Sequence, residues 1–312
     1  MNSGTEFGWL RGYLSELRSN FLVRNVLTGF RFIRSDRMTF AYFSYLVLVV
    51  FLAIFAPWIA PYRFDERIRG ADGILFTSGP SSTNLLGTTD AGYDVLSRVI
   101  FGARPAVVTG IIAGVMIFTI GMSVGILAGY LEGRIGNLLM RFTDMMYSIP
   151  LIPFALVVVA FVGSGFFISI VIVGALLWRG LARVVRSQVL QIKERPFIRA
   201  AETSGASSPY IIVKHILPNV APMGILFLAL GIGYSIVIQA GLAFLGVTDP
   251  FVPSWGIILR NVYSSGAMSR AFWWALPPGF MISMTVLSLF MLGRKIESKI
   301  TQTGDEVLAE AG

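Results

Sequence analysis

The sequence contains no cysteine and only one histidine, His215. Disulfide bridges, thiolate nucleophiles and cysteine-ligated metals are therefore excluded, and no histidine cluster can hold a catalytic metal. Charged residues are scarce as well: they make up 13% of the 312 residues, against about 25% in a typical soluble protein. Because so few charges cannot cover a surface that faces water, a soluble multi-domain enzyme is excluded.

A phosphate-binding loop is also missing. The pattern Gly-x-x-x-x-Gly-Lys-Ser/Thr does not occur, and no glycine is followed directly by lysine anywhere in the chain. Neither a paired set of catalytic carboxylates nor a Ser/His arrangement stands out. We therefore expect a chain that is not an enzyme, with no catalytic residues, no metal ligands and no cofactor.

Long apolar runs are what the sequence contains instead. Hydrophobic residues make up 55% of the chain, and glycine, which lets transmembrane helices approach closely, occurs 33 times. A run of about 20 apolar residues crosses a bilayer. The pattern predicts an all-α integral membrane protein with six transmembrane helices. The candidate spans are residues 39–60, 105–128, 142–163, 166–180, 219–247 and 274–293.

The basic residues are distributed unevenly between the segments that connect these spans. If both termini lie on one side, that side holds 18 of the 25 Lys and Arg residues. Cytoplasmic segments of membrane proteins collect Lys and Arg. We therefore expect a multi-pass protein of the cell (plasma or inner) membrane with both termini in the cytoplasm. Because the net charge of +8 is spread over several segments, nucleic acid is not expected as a partner.

The spans and charges divide the chain into three regions. Residues 1–38 form a cytoplasmic N-terminal segment, whose part 21–37 has the mixed apolar and basic character of an amphipathic helix at the membrane surface. Residues 39–300 form the six-helix transmembrane domain, and residues 301–312 form a cytoplasmic tail. The two long connections within the domain are an extracellular loop, 61–104, and a cytoplasmic loop, 179–218.

The cytoplasmic loop has the local signals of a helix–turn–helix. A helix through Arg199 is expected to end at Gly205, because glycine suits the left-handed position after a helix. Ser208 is a candidate N-cap and Pro209 a candidate first residue of the next helix. Pro218 is expected to break the chain before the fifth span. Such a protrusion suits docking into a groove of a partner, but this pattern alone fits an ordinary connecting loop equally well.

The spacing in this loop resembles the "EAA" loop of ABC-importer permeases. The family pattern is Glu-Ala-Ala, three residues, Gly, nine residues and Ile-x-Leu-Pro, and here Arg199 replaces the Glu and His215 the Ile. The resemblance implies that the loop inserts into a cleft of a separate ATP-binding subunit. The residues assigned to ATPase coupling are Arg199, Ala200, Ala201, Gly205, Pro209, His215, Leu217, Pro218 and Asn219. We expect His215 to complement the helix end or to pack rather than to sense pH.

Residues 85–104 resemble a signature of the dipeptide, oligopeptide and nickel branch of these permeases. The branch has Leu-Gly-Thr-Asp-x-x-Gly-Arg-Asp-Val-Leu-Ser-Arg, and here Thr89 replaces the first Asp and Tyr93 the Arg. The residues assigned to this extracellular signature are Gly87, Asp90, Gly92, Asp94 and Arg98. We expect Arg98 and Arg104 to form ion pairs with Asp90 and Asp94. Docking of a solute-binding protein is the alternative role of these charges.

The resemblance covers about residues 30–300 and implies the fold of the transmembrane domain of a type I ABC importer. It also implies four kinds of partner: a homologous permease, two ATP-binding subunits, an extracellular solute-binding protein and the lipid bilayer. The cargo implied is short peptides, with oligosaccharides or nickel chelates as alternatives. A secondary transporter or channel would need ion-coupling residues or inverted repeats, and a membrane enzyme would need a catalytic cluster. The sequence shows neither.

Polar residues inside spans are candidates for the translocation path, because they are costly in a membrane. Gln239 with Ser235 in the fifth span comes first, and Tyr147 with Ser148 beside the third span comes next. An interhelical hydrogen bond to a partner permease is an equal alternative for Gln239. Asp144 is expected to pair with Arg141, one helical turn away.

Overall fold

The computed structural model describes residues 36–70, 73–74, 76–131 and 133–310. Nearly all of the N-terminal segment 1–38, including the amphipathic helix expected over 21–37, lies outside the described residues. The first described helix begins after Asp36, which caps it by accepting hydrogen bonds from the Met38 amide at 3.2 Å and the Thr39 hydroxyl at 2.9 Å. These hydrogen bonds, led by that from Thr39, hold the pKa of Asp36 below its ordinary value.

The described chain is almost entirely helical. A short antiparallel pair of strands, β1 (Arg69–Gly70) and β2 (Gly73–Ile74), lies between the first two helices. The helices in chain order are α1 (Arg37–Ile59), α2 (Val95–Tyr130), α3 (Gly133–Ser148), α4 (Leu151–Val162), α5 (Phe166–Lys193), α6 (Pro196–Thr203), α7 (Ser208–Ile211), α8 (Leu217–Phe244), α9 (Trp255–Ser264) and α10 (Phe272–Glu310). A π-helical turn, Ile212–Ile216, joins α7 to α8.

Five helical segments of the described chain are long and apolar enough to cross a membrane. Helices α3 and α4 provide a sixth span if they are taken together, although they are bent by 81° against each other. The bend lies at Pro150, because proline disfavours a helical conformation at the residue before it. The predicted all-α membrane fold is thus confirmed at the level of five or six apolar helices.

Four helices extend well beyond the spans predicted for them, and one of these is α3, which begins at Gly133 rather than at residue 142. Helix α2 begins at Val95 rather than at residue 105, since Asp94 caps it. Helix α5 continues to Lys193, so the first part of the predicted loop 179–218 is helical. Helix α10 runs to Glu310, so most of the predicted tail is helical too. In each case the sequence boundary was placed at charged residues, but a helix can continue through the interface into water.

Helices α2 and α5 pack closely along a row of glycines on α2. A methyl group on Gly125 would lie 2.7 Å from the carbonyl oxygen of Ala182, and one on Gly129 would lie 2.7 Å from the Cβ atom of Val189. Only glycine allows the two backbones to approach so closely. The contact joins the two helices over the half of α2 that ends at Tyr130.

Candidate coupling site and translocation path

The coupling segment, residues 196–219, begins with α6 and a glycine turn. Gly205 has a φ of +81°, its N–H donates to the carbonyl of Glu202 at 3.0 Å, and the N–H of Ala206 donates to the carbonyl of Ala201 at 3.1 Å. These two hydrogen bonds are those of a Schellman motif, which closes a helix on a left-handed residue. The predicted helix end at Gly205 is confirmed.

The start of the next helix differs by one residue from the prediction. Ser207, not Ser208, is the N-cap of α7, and its side chain makes no capping hydrogen bond. Pro209 lies in the first turn, as expected from its fixed φ and missing N–H.

The expected break at Pro218 is wrong. One continuous helical segment runs from Ser208 to Phe244, and Pro218 lies in the first turn of α8. The π-helical turn before it is wider than an α-turn, with the Leu217 N–H donating to the carbonyl of Ile212. A wider turn gives the proline ring room beside the preceding carbonyls, so the helix is not interrupted. Asn219 donates to the carbonyl of His215 at 2.7 Å.

One face of the coupling segment is buried against the spans. Ile198, Ile211 and Ile216 are 0–1% exposed. They share an apolar cluster with residues of α2, α5 and α8. The members from those helices are Met122, Ile126, Tyr130, Leu181, Val185, Val189 and Val220. Since packed side chains transmit displacement, the coupling segment is mechanically attached to three spans.

The opposite face of the coupling segment is exposed and partly apolar. Phe197, Tyr210 and Val213 are 44%, 53% and 63% exposed. His215 is half-buried, and its ring centre lies 6.2 Å from that of Phe197 and 5.8 Å from that of Tyr210. His215 therefore packs between the helices of the segment, in line with the packing role expected for it.

Arg199 lies on the exposed side of α6. Its guanidinium forms an ion pair with Glu194, and both side chains are 67% exposed. An ion pair so exposed to water adds little to stability. Ala200, Arg199 and Pro209 are all exposed and therefore available to a partner.

At the other end of α2, Asp94 of the signature has a structural role. Its carboxylate is 1% exposed and accepts hydrogen bonds from the Ser97 amide at 2.8 Å, the Ser97 hydroxyl at 2.7 Å and the Asn84 side-chain amide at 2.8 Å. Gly87 and Gly92 have φ values of +67° and +79° in the loop that leads to it.

The expected ion pairs of Arg98 and Arg104 with Asp90 and Asp94 are wrong. The guanidinium of Arg98 lies 4.8 Å from the ring centre of Tyr93, and Arg98 is 8% exposed. It lines an open pocket of about 630 Å³ together with Asp90. Asp94 is not free to pair, because the helix cap occupies it.

Arg104 binds the backbone of α1 instead. Its Nε donates to the carbonyl of Ala53 at 2.7 Å, and its Nη2 donates to the carbonyl of Ile54 at 3.2 Å. Pro57 lies inside α1, four residues after Ala53, and has no N–H with which to bond that carbonyl. The arginine thus satisfies an acceptor that the proline leaves open.

The structure separates the four residues predicted for the path. Tyr147 lines a cavity of about 290 Å³ between α2, α3, α5 and α8, whereas Gln239, Ser235 and Ser148 do not. Gln239 is 3% exposed, and its amide nitrogen has no hydrogen-bond partner among the described residues. The Ser235 and Ser148 hydroxyls donate to the carbonyls of their own helices, at 2.6 Å and 2.7 Å respectively.

Sequence reasoning missed Arg179 and Tyr234, which line the same cavity as Tyr147. The predicted fourth span ends at residue 180 and the predicted loop begins at Arg179, so the sequence places Arg179 at the end of a span and not beside a cavity. The apolar residues that continue at helical spacing after it, Leu181, Val185 and Val189, would have placed it on a helix.

The predicted pair between Asp144 and Arg141 is also wrong. The Asp144 carboxylate accepts a hydrogen bond from Arg183 of α5 at 2.6 Å. The Arg183 guanidinium in turn lies 3.9 Å from the ring centre of Tyr147. The carboxylate therefore links α3 to α5 rather than stabilising its own helix.

Comparison with known proteins places the chain among transport components. Residues 121–302 match the family described as "binding-protein-dependent transport system inner membrane component". The oligopeptide transport system permease of Haemophilus influenzae is 31% identical over 254 residues, which cover 80% of each chain. The di/tripeptide transport system permease of Pseudomonas aeruginosa is 32% identical over 80% of this chain and 82% of its own.

A further relative is named for the transport of glutathione. The glutathione transport system permease of Escherichia coli is 35% identical over 261 residues, which cover 83% of this chain and 84% of its own. Among solved structures, a chain of the inward-facing MetNI methionine ABC transporter aligns over 64% of this chain and 95% of its own, at 19% identity and a TM-score of 0.49.

Proposed function

The chain belongs to the family of binding-protein-dependent transport system inner membrane components, and we infer that it is the permease subunit of an ATP-driven importer of short peptides. Its relatives are named for oligopeptides, for di- and tripeptides and for glutathione, which is itself a small peptide. These names favour peptides over oligosaccharides or nickel chelates. A self-contained secondary transporter or channel is not favoured, because transport in this family depends on a binding protein.

The coupling segment is the observation that carries this proposal. One of its faces is buried on α2, α5 and α8, and the other exposes Phe197, Tyr210 and Val213. An exposed apolar patch at the end of a membrane domain is suited to a protein partner. We propose that an ATP-binding subunit covers this patch, with Ala200, Gly205 and the residues of the turn inserted into its cleft.

Transport would then proceed by alternating access. ATP binding closes two ATP-binding subunits, displaces the coupling segment and tilts the spans attached to it. A ligand shifts such an equilibrium only by its different affinity for the two states, so ATP must act through the docked segment. The extracellular solute-binding protein supplies cargo, and the translocation path forms between this chain and a homologous permease.

The cavity beside Tyr147 is proposed as part of that path. Tyr147 and Tyr234 are 40% and 53% exposed, and Tyr234 lies inside the apolar segment Ser208–Phe244. A phenolic hydroxyl in the middle of a bilayer needs a polar partner or water. This face is therefore better suited to the homologous permease and to the cargo than to lipid.

Co-purification tests the proposed assembly. The chain carrying an affinity tag is purified in mild detergent from its native membrane. We expect one homologous permease and two ATP-binding subunits for each tagged chain, as measured by native mass spectrometry. Recovery of the tagged chain only as a monomer or homo-oligomer with no ATP-binding subunit would contradict the proposal.

Uptake by the reconstituted complex tests the cargo. Proteoliposomes with ATP inside and the solute-binding protein outside are given labelled di- and tripeptides or labelled oligosaccharides. Peptides are expected to be taken up and to stimulate ATP hydrolysis. Uptake of oligosaccharides alone would replace the proposed cargo and leave the permease assignment intact.

A further inference from the structure

Arg179 carries a positive charge on α5, a helix that is long and apolar enough to cross a membrane. It lies 13 residues after Phe166, the first residue of α5, which corresponds to about 20 Å along the helix axis. A span that begins near Phe166 would place this depth within the hydrocarbon core, which is about 30 Å thick. A charge at that depth is costly unless other groups compensate for it.

The backbone of the broken span compensates for part of this cost. The Nη1 group of Arg179 donates to the carbonyl of Met146 and, at 3.5 Å, to the carbonyl of Ile149. These carbonyls lie at the C-terminal end of α3, where the helix dipole favours a cation. The guanidinium also lies 4.7 Å from the ring centre of Tyr147.

No carboxylate of the described chain completes the compensation. The nearest candidate on α3, Asp144, is paired with Arg183 at 2.6 Å. Within the described residues, the Nε and Nη2 groups of Arg179 have no hydrogen-bond partner. These two groups form one edge of the guanidinium, and that edge has the spacing that binds both oxygens of a carboxylate.

A cavity adjoins Arg179. It has a volume of about 290 Å³, and Tyr147 and Tyr234 contribute the other polar side chains of its wall. The rest of the lining is mostly apolar, including Leu177, Phe227 and Leu230. An apolar wall with one unoccupied guanidinium edge and two hydroxyls suits a small organic molecule that carries a carboxylate.

We propose that Arg179 binds a carboxylate of the cargo, such as the C-terminal carboxylate of a short peptide, during its passage through the membrane. The proposal rests on the proposed function as a peptide importer and adds a selective contact inside the path. Tyr147 orients the guanidinium, and the α3 carbonyls hold its Nη1 group so that the opposite edge stays available.

The test compares trialanine with trialanine amide, which lacks the terminal charge. The complete transporter is reconstituted with its solute-binding protein, and the ratio of uptake rates for acid and amide is measured. Arg179→Gln is expected to lower this ratio about tenfold, the loss expected for a hydrogen bond between charged groups. The ratio of the two rates is the readout, because Arg179→Gln also removes the hydrogen bonds to the α3 carbonyls and so affects uptake of both peptides. Arg179→Lys should retain part of the preference.

The double variant Arg183→Gln/Asp144→Asn is the matched control, since Arg183→Gln alone would leave the Asp144 carboxylate unpaired beside Arg179. Arg183 lies one helical turn further along α5 and also contacts the Tyr147 ring, but it does not line the cavity. The uptake ratio of the double variant should equal that of the wild type. The solute-binding protein is the same in every arm, so a changed ratio reports the membrane chain.

Two results would overturn the proposal. If Arg179→Gln lowers acid and amide uptake equally, or changes neither, then Arg179 only caps α3, and the peptide assignment still stands. If the wild-type complex takes up neither peptide, the proposed cargo is wrong and the carboxylate site is withdrawn with it.

Discussion

Gly205 shows how a single backbone conformation shapes the coupling segment. Its φ of +81° places it in the left-handed region, and no other group lies within 4 Å of where a Cβ atom would be. A substitution here therefore meets no steric obstacle beyond the backbone itself. A substitution at Gly205 therefore tests the backbone conformation of the turn without disturbing side-chain packing.

Gly205→Pro is expected to abolish transport and the stimulation of ATP hydrolysis by cargo, because proline is restricted to a φ near −65° and has no N–H for the turn. Membrane insertion should remain normal, since the spans are unaffected. Transport and ATP hydrolysis are measured in proteoliposomes, and insertion by the amount of protein in the membrane fraction.

Gly205→Ala is the control. Alanine in the left-handed region costs about 1–2 kcal/mol, so this variant should couple less well than the wild type but far better than the proline variant. Normal stimulation in Gly205→Pro would contradict the coupling role of the turn.

At the scale of elements, α1 and α2 are joined where a proline leaves a carbonyl open. Arg104 of α2 donates to Ala53 at 2.7 Å, and Pro57 explains why that carbonyl is available. The proline in α1 thus determines which group the arginine of α2 binds.

Arg104→Met is expected to destabilise the wild-type chain by about 1.5–3 kcal/mol, the range for hydrogen bonds to charged groups. In a Pro57→Ala background the effect should be smaller, because the alanine N–H can bond the Ala53 carbonyl. Thermal unfolding in detergent measures both effects as a double-mutant cycle. An equal loss in the two backgrounds would show that the carbonyl of Ala53 does not explain the contact.

The coupling segment is a second element whose two faces have different roles. Ile198→Ala removes a side chain that is 0% exposed, and we expect it to destabilise the segment by about 2–5 kcal/mol. Hydrogen exchange of the amides in residues 196–219 should then accelerate. The measurement is made on the purified complex by mass spectrometry.

Val213→Asp is the matched variant on the exposed face, where the side chain is 63% exposed. It should leave hydrogen exchange in the isolated permease unchanged and weaken retention of the ATP-binding subunits during purification. If Val213→Asp retains those subunits fully, the exposed patch is not their docking surface.

At the scale of the whole molecule, α2 connects the two candidate sites. Arg98 lines the pocket of about 630 Å³ and Tyr130 packs on the coupling segment, and their separation of 32 residues corresponds to about 48 Å of helix. The glycine contacts with α5 stiffen this connection. A displacement of the coupling segment can therefore reach the opposite face of the membrane domain through one continuous element.

Because the chain has no cysteine, single cysteines report its orientation without background. In intact cells, a membrane-impermeant maleimide should label Ser265→Cys, which lies in the same pocket as Arg98. It should label Ser3→Cys and Gly312→Cys only after lysis. Labelling of both terminal cysteines in intact cells would reverse the proposed orientation of the chain.

Several features of this protein follow from the sequence alone. Apolar runs of about 20 residues can bury their surface only in a membrane, and they locate the apolar helices. Glycine is the residue that best tolerates a positive φ, so the turn at Gly205 could be located without tertiary information. The spacing from Ala200 to Pro218 indicated the family, which the comparisons confirm. These features depend on residues close together in the chain.

Other features were decided only by the tertiary structure. The partner of Asp144 is Arg183 rather than Arg141, and Arg104 binds Ala53 rather than an aspartate. A side chain several atoms long reaches whichever neighbouring helix offers an unsatisfied group, and that depends on how the helices pack. For the same reason the position of Arg179 beside a cavity could not be predicted from its charge, because residues of α2, α3, α5 and α8 form that cavity together.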